Sequence, residues 1–386
     1  MASTAAAALP AGSTPAASTA KIYAWSTTVQ KAAPPADTYD SVNVLWGTNR
    51  AAVDARPIKA ASQLGYGRSE DLKLGISTIS VPKVARPVGG IPRPAERKIL
   101  FYPLNRDKED PAKHFTVVDL RQLTRGEFLL NAARQMEAAQ GFKDHALIFV
   151  HGYNASFEDA LYRAAQLAYD MSFDGAVHLF SWPSRGEYAG YGYDRDSVDF
   201  SVSQFREFLR LVESNPRSKN IHILAHSMGA RLAIDTLLPS DTDPRRASVG
   251  KIKQVILVAA DADQSVFEQR ARRYPEVAKT MTLYAHADDK ALKISVDFAR
   301  GVPRVGGIVD GLPTIVAGAD TIDMTGVDQG SLAFWAANHS SYVANRHILR
   351  DIALLLRHGR RPPHERSPTY LTLNTYKGPF WKYVPN

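Results

Sequence analysis

The 386-residue chain contains no cysteine. That excludes disulfide bridges, a thiolate nucleophile and cysteine-ligated zinc together, but it does not fix a compartment. The sequence also lacks any apolar run approaching the roughly 18 residues needed to cross a bilayer. There is no arm of a single charge either. The formal net charge is +8 and the pI about 9.4, yet the basic residues are scattered. Their densest cluster, Arg357, Arg360 and Arg361 with His358 and His364, comes late and reads as a solvated tail. No fingerprint of a nucleic-acid-binding module accompanies it, so nucleic acid is not an expected partner. What remains is an ordinary globular composition, 45% hydrophobic and 22% charged, able to bury a sizeable core and a site within it.

Residues 1–36 are rich in Ala, Ser, Thr and Pro and poor in large apolar groups. Such a segment cannot bury enough surface to offset its ordering entropy, and it reads as a disordered leader. It has neither a basic start nor an uninterrupted apolar stretch, so it does not read as an intact signal peptide. Residues 37–386 read as one catalytic domain, with a β-rich lead-in (37–143), a core (144–358) and a C-terminal tail (359–386). In the lead-in, Val42, Val44 and Trp46 alternate ahead of Gly47-Thr48-Asn49, and a second strand-like piece spans Ile76 to Val81.

The core alternates short strands, apolar on both faces, with amphipathic helices. Strands are expected at Ala146–Val150, Ala176–Ser181, Ile221–Ala225, Gln254–Ala259, Met281–Ala285 and Thr321–Val327. Between them, Ser156 followed by Asp159 forms a capping-box pattern ahead of a helix. Val198, Val202, Phe205, Leu209 and Val212 form a helical stripe, and a helical stretch is expected from about Val266 to Lys279. This pattern predicts an α/β fold: a mostly parallel sheet with helices on both faces, preceded by a β-rich N-terminal extension.

Within it, Ile221-His-Ile-Leu-Ala-His-Ser-Met-Gly229 runs a hydrophobic strand into a serine and then directly into a helix. This is the nucleophile elbow of the α/β-hydrolase fold, with Ala225 and Gly229 as the small residues two positions before and after Ser227. Serine is also a favoured helix N-cap, but the strand before it, the helix after it and suitable partners downstream select it as the nucleophile. His226 adjoins Ser227 and is expected to pack elsewhere. The loop after Phe149-Val-His-Gly-Tyr-Asn154 is where this fold takes an oxyanion-hole donor, which assigns the N–H groups of Tyr153 and Met228. The fold's order of nucleophile, acid and base places the base at His339, on a loop before a helix marked by Ile348, Ile352, Leu355 and Leu356. The acid is first Asp289, with Asp288 beside it and with Asp261 and Asp263 after the preceding strand as alternatives. Tyr188, Tyr191 and Tyr193 on the loop from Trp182 either wall the pocket or pack the loop, and Gly301–Gly318 forms the opposite rim. No cofactor or metal is expected: His222 and His226 are four apart but on a strand, not a helix face.

With these residues assembled, the chain resembles a bacterial esterase/lipase-like α/β-hydrolase family catalogued as a domain of unknown function, number 900. The resemblance rests on Val44–Arg50, His151-Gly-Tyr-Asn154, Phe180–Ser184, Tyr193-Asp-Arg195, Ala225–Gly229, Ala260–Asp263, Asp289–Leu292 and His339–Tyr342. It implies a serine hydrolase acting on a small ester or acyl substrate, without naming one. The same triad also serves peptidases, amidases and acyltransferases, and the scaffold can persist for binding alone. Family members often carry an export or lipoprotein signal, which implies a periplasmic or secreted location.

Overall fold

The structure is a computed structural model that describes residues 36–53, 63–94, 96–99, 102–106, 108–187, 190–240, 250–327, 339 and 341–384. The leader, residues 1–36, lies almost wholly outside the described residues.

Eleven strands form one sheet: β1 (Tyr39–Ala52), β2 (Leu64–Pro82), β3 (Thr116–Gln122), β4 (His145–Val150), β5 (Ala176–Ser181), β6 (Asn220–His226), β7 (Ile252–Val258), β8 (Met281–Ala285), β9 (Asp320–Asp323), β10 (Tyr370–Thr375) and β11 (Gly378–Tyr383). Their order across the sheet is β10-β11-β9-β8-β7-β6-β4-β5-β1-β2-β3. From β11 to β1 every neighbouring pair is parallel, and antiparallel pairs occur only toward the two edges. The helices are α1 (Arg125–Ala138), α2 (Phe157–Asp170), α3 (Tyr191–Ser214), α4 (Met228–Leu237), α5 (Gln264–Arg273), α6 (Pro275–Ala278), α7 (Lys290–Phe298), α8 (Ser341–Ala344) and α9 (Arg346–His358).

Successive strand residues feed two separate cores, because side chains alternate across a sheet. Phe149, Leu224 and Ile256 pack with α2 and α9 through Leu161 and Ile352. Ile148, Ile223 and Val255 pack on the other face with α3, α4 and α5 through Phe205, Leu232 and Phe267. Burial on both faces explains why these strands read as continuous apolar runs. Helix α2 begins at the expected capping box, with Ser156 Oγ accepting from Asp159 N–H at 3.1 Å. Among the described residues no helix is long and apolar enough to cross a membrane.

Four details depart from the sequence expectations. The β-rich extension is present as β1, β2 and β3 and continues the main sheet, but it is followed by α1, a helix whose amphipathic pattern is too weak to have stood out. The helical stretch after β7 breaks at Pro275, whose missing N–H and ring clash end a helix at the preceding residue. The last strand of the core is shorter than expected, closing at Asp323. The segment after residue 358, expected as a solvated tail, forms the β10–β11 hairpin, and β11 pairs parallel with β9. Arg361 anchors it through Asp320 Oδ2 at 2.6 Å and the carbonyls of Met281 and Gly318.

Candidate active site

Strand β6 ends level with its neighbours, with Ala225 opposite Val150 and His226 opposite Val258. The chain then turns so sharply that Ser227 takes φ 55° and ψ −122°. A non-glycine residue rarely occupies this region, and holding it there costs about 1–3 kcal/mol. Backbone bonds fix the strained peptide: Ser227 N–H donates to Val258 O at 3.0 Å, and Ser227 O accepts from Ala230 N–H at 3.0 Å and Asp261 N–H at 3.1 Å. Among the described residues no hydrogen bond engages the Ser227 hydroxyl, so it is not serving as an ordinary helix cap.

The turn also explains its small neighbours. A Cβ on Gly229 would lie 2.3 Å from His151 O and 2.6 Å from Val150 O, because the first turn of α4 sits on the end of β4. Gly229→Ala is therefore expected to lower stability by about 2 kcal/mol through overpacking. Urea unfolding should show a lower midpoint with an unchanged slope.

The turn after β4 closes against the same serine. A Cβ on Gly152 would lie 2.9 Å from Ser227 Cβ and 2.8 Å from His226 Nδ1. Tyr153 follows directly on this turn, and Met228 directly follows Ser227 to open α4. His151 is buried and stacked on Trp182, with ring centroids 4.9 Å apart. Burial, aided by the Arg50 charge, pushes its pKa down to about 3, so it is neutral. Its Nδ1–H donates to Gly152 O at 2.8 Å.

Two charged residues that sequence reasoning left without a role hold this turn in place. Arg50 is fully buried and donates to Ser181 Oγ, Ser184 O, Gly65 O and Ala155 O at 2.8–3.1 Å. Burial lowers its pKa to about 9, which still leaves it cationic at neutral pH. Asp194, in the first turn of α3, accepts from Ser184 Oγ at 2.5 Å, Arg185 N–H at 2.7 Å and Asn154 N–H at 3.3 Å. Burial raises its pKa. No local signal marked Arg50, which follows Thr48 and Asn49 near the end of β1; a buried charge of this kind is retained only where it is fully hydrogen-bonded.

His339 and Asp289 come together. His339 Nδ1 lies 2.8 Å from Asp289 Oδ2, while Asp289 Oδ1 accepts from Leu292 N–H at 2.9 Å as the N-cap of α7. The carboxylate acceptor places the proton on Nδ1 and leaves Nε2 with a lone pair. Burial alone lowers the His339 pKa, but the charge and hydrogen bond of Asp289 outweigh it, and the net shift is upward. Asp289 is 1% exposed. Burial raises its pKa, yet His339 and the two hydrogen bonds prevail and hold it below the usual carboxylate range. His226 joins the group from the elbow. Its Nε2–H donates to His339 O at 2.8 Å, and burial with the neighbouring His339 pushes its pKa down to about 3.

The other carboxylates are engaged elsewhere. Asp261 accepts from Tyr191 OH at 2.9 Å and Ser295 Oγ at 2.5 Å, and pairs with Arg304 at 3.3 Å. Asp263 caps α5 through Val266 N–H, and Asp288 is exposed beside Lys293. Tyr191 packs edge-on against Tyr153 at 5.7 Å, whereas Tyr193 packs on Tyr66 and Arg68 away from that contact. Tyr188 lies outside the described residues. Part of the Gly301–Gly318 segment touches the site's floor, since a Cβ on Gly306 would meet Ala260 N at 2.3 Å. Among the described residues no group of three His, Asp or Glu is placed to hold a metal ion.

A family model described as an alpha/beta hydrolase of unknown function, DUF900, matches residues 131–358, more than half of the chain. The chain belongs to this family. It is an α/β hydrolase. No curated protein matches it. Among solved structures it is similar to a predicted CIB-like hydrolase of Thermoplasma acidophilum, at 17% identity and TM-score 0.30, over 55% of this chain and 86% of that one. It is also similar to the esterase Est2 of Thermogutta terrifontis, at 16% and 0.31 over 56% and 83%. Esterase B of Lactobacillus rhamnosis aligns at 13% and 0.29 over 52% and 70%. Likeness at this level transfers no activity.

Proposed function

We propose that this α/β hydrolase is a serine esterase, with Ser227 as nucleophile, His339 as base and Asp289 as acid. The observation that carries the reading is the Asp289–His339 hydrogen bond of 2.8 Å, on a histidine held by His226, the residue that precedes a serine strained to φ 55°. A strained elbow with an uncommitted hydroxyl and an imidazole oriented by a buried carboxylate form a nucleophile–base–orienter set.

In this mechanism His339 Nε2 removes the Ser227 proton as Oγ bonds to the carbonyl carbon. The N–H groups of Tyr153 and Met228 hold the developing oxyanion, each worth roughly 3 kcal/mol. Collapse breaks the ester C–O bond, and His339 returns its proton to the leaving alkoxide. Water, deprotonated by the same nitrogen, then attacks the acyl-enzyme and releases the acid and free Ser227. Asp289 holds the imidazole in the required tautomer and stabilises its cation, while His226 and Gly152 keep base loop and oxyanion turn in register.

Labelling with a fluorophosphonate tests the reading. The wild-type protein should take up one label per chain, and Ser227→Ala none. Folded wild-type protein that resists the probe and leaves 4-nitrophenyl esters intact would sink it.

A further inference from the structure

We propose that the ester this site cleaves carries an acidic group, received by Arg163 in a hollow beside the oxyanion turn. The inference rests on the serine-esterase reading. The hollow encloses about 340 Å³, within the range of small-ligand sites. Gly152, Tyr153, His226, Arg163, Tyr162 and Tyr342 are among the residues that line it. A Cβ added to Gly152 would lie 2.9 Å from Ser227 Cβ, so one wall of the hollow packs directly against the nucleophile.

The charges of Asp170 and Asp159 reach Arg163, but the fold leaves some of its guanidinium donors unused. Its Nη1 donates to Gly89 O at 3.1 Å and Gln166 Oε1 at 2.8 Å, both neutral acceptors. Among the described residues no carboxylate pairs with it, and no hydrogen bond engages its Nε or Nη2. Its neighbours differ. Arg86 pairs with Asp170, and Arg93 pairs with Glu158 and Asp159. Asp159 also lines the hollow, but its carboxylate is already engaged by Arg93, which it shares with Glu158, and by Ser156 N–H and Oγ–H at the α2 cap. In a second hollow, about 430 Å³ on the α4–α5 side, Arg231 and Arg270 share Asp235 and Arg304 is held by Asp261. A half-buried guanidinium with spare donors invites a planar anion, because arginine and carboxylate match in a two-point fork. The apolar wall of Phe149, Ile91 and the tyrosines suits a short carbon chain between that anion and the ester.

The test uses two matched ester pairs, one with the acid on the acyl half and one on the alcohol half. They are mono-4-nitrophenyl adipate against 4-nitrophenyl hexanoate, and 4-carboxyphenyl hexanoate against phenyl hexanoate. In one pair the wild-type protein should favour the acidic member in kcat/KM by about tenfold or more. Arg163→Met should lower that ratio about tenfold or more, to near one, mainly through KM, as loss of a charged hydrogen-bonded contact does. Arg163→Lys, which keeps the charge and loses the fork, should fall between them, an ordering that misfolding does not produce. Turnover of neutral esters with no acidic preference in either pair, or a preference that survives in Arg163→Met, overturns this inference alone. Failure of all four esters together with failure of fluorophosphonate labelling overturns the esterase reading as well.

Discussion

Replacing either Ser227 or His339 by alanine is expected to lower kcat on a 4-nitrophenyl ester by about a millionfold, and combining the two changes should cost no more. The reason is that the two groups perform one event. Without His339 the Ser227 proton has no acceptor, since Asp289 meets only the Nδ1 side of the ring. Without Ser227 the base has nothing to activate for acyl transfer. His226 cannot replace the base, because its Nε2–H is committed to His339 O and its pKa of about 3 makes it a poor proton acceptor at neutral pH. The residual rate in all three variants should be similar and should reflect the oxyanion donors and binding alone. The measurement is single-turnover or steady-state kinetics on the two single variants and the double variant. A His339→Ala enzyme only tenfold slower, or a double variant far slower than either single one, would remove the proposed division of labour.

Much of the architecture was legible because parallel strands buried on both faces leave short, mostly apolar runs. Ala176–Ser181 and Met281–Ala285 fall where the pattern puts them. What the pattern misses is what depends on distant partners. The β10–β11 hairpin mixes exposed positions with buried Tyr370, Phe380, Trp381 and Tyr383 in no regular alternation, and pairing with β9 and the Arg361 contacts give it its place in the sheet. Helix α1 does not gather its apolar residues on one face, burying Phe128, Ala132 and Met136 while Leu130 is exposed.

The site divides the same way. The elbow is local, a strand, a turn and a helix within nine residues, so its geometry could be read in place. The carboxylate was not local: four aspartates stood at the ends of two adjacent strands, equal in residue type and nearly equal in position. They separate only by their contacts, with His339 meeting Asp289 while Tyr191, Ser295 and Arg304 occupy Asp261. Arg50 and Asp194 stand further still from sequence reasoning. Each tightens the 151–155 turn from a remote element, 101 residues away in the case of Arg50 and His151.

Asp289→Asn is expected to lower kcat by about 10⁴-fold and, independently, to move the pH profile. The two effects have different causes. The amide can donate to Nδ1, which would place the histidine proton on Nε2 and leave no lone pair facing Ser227. The pH effect follows from charge. In the wild-type protein Asp289 lifts the His339 pKa above the ordinary value of about 6.5, against burial. The base works only when neutral, so kcat/KM should rise with pH along a limb whose midpoint lies above 6.5. In the Asp289→Asn variant only the more distant charge of Asp261 still opposes the burial penalty, the imidazolium loses its partner, and the midpoint should move to lower pH. Asp263→Asn serves as the control: asparagine caps a helix as well as aspartate does, and Asp263 contacts α5 rather than His339. It should keep the wild-type profile. A limb that stays fixed in Asp289→Asn, or one that shifts equally in Asp263→Asn, would show that the carboxylate governing the base lies elsewhere.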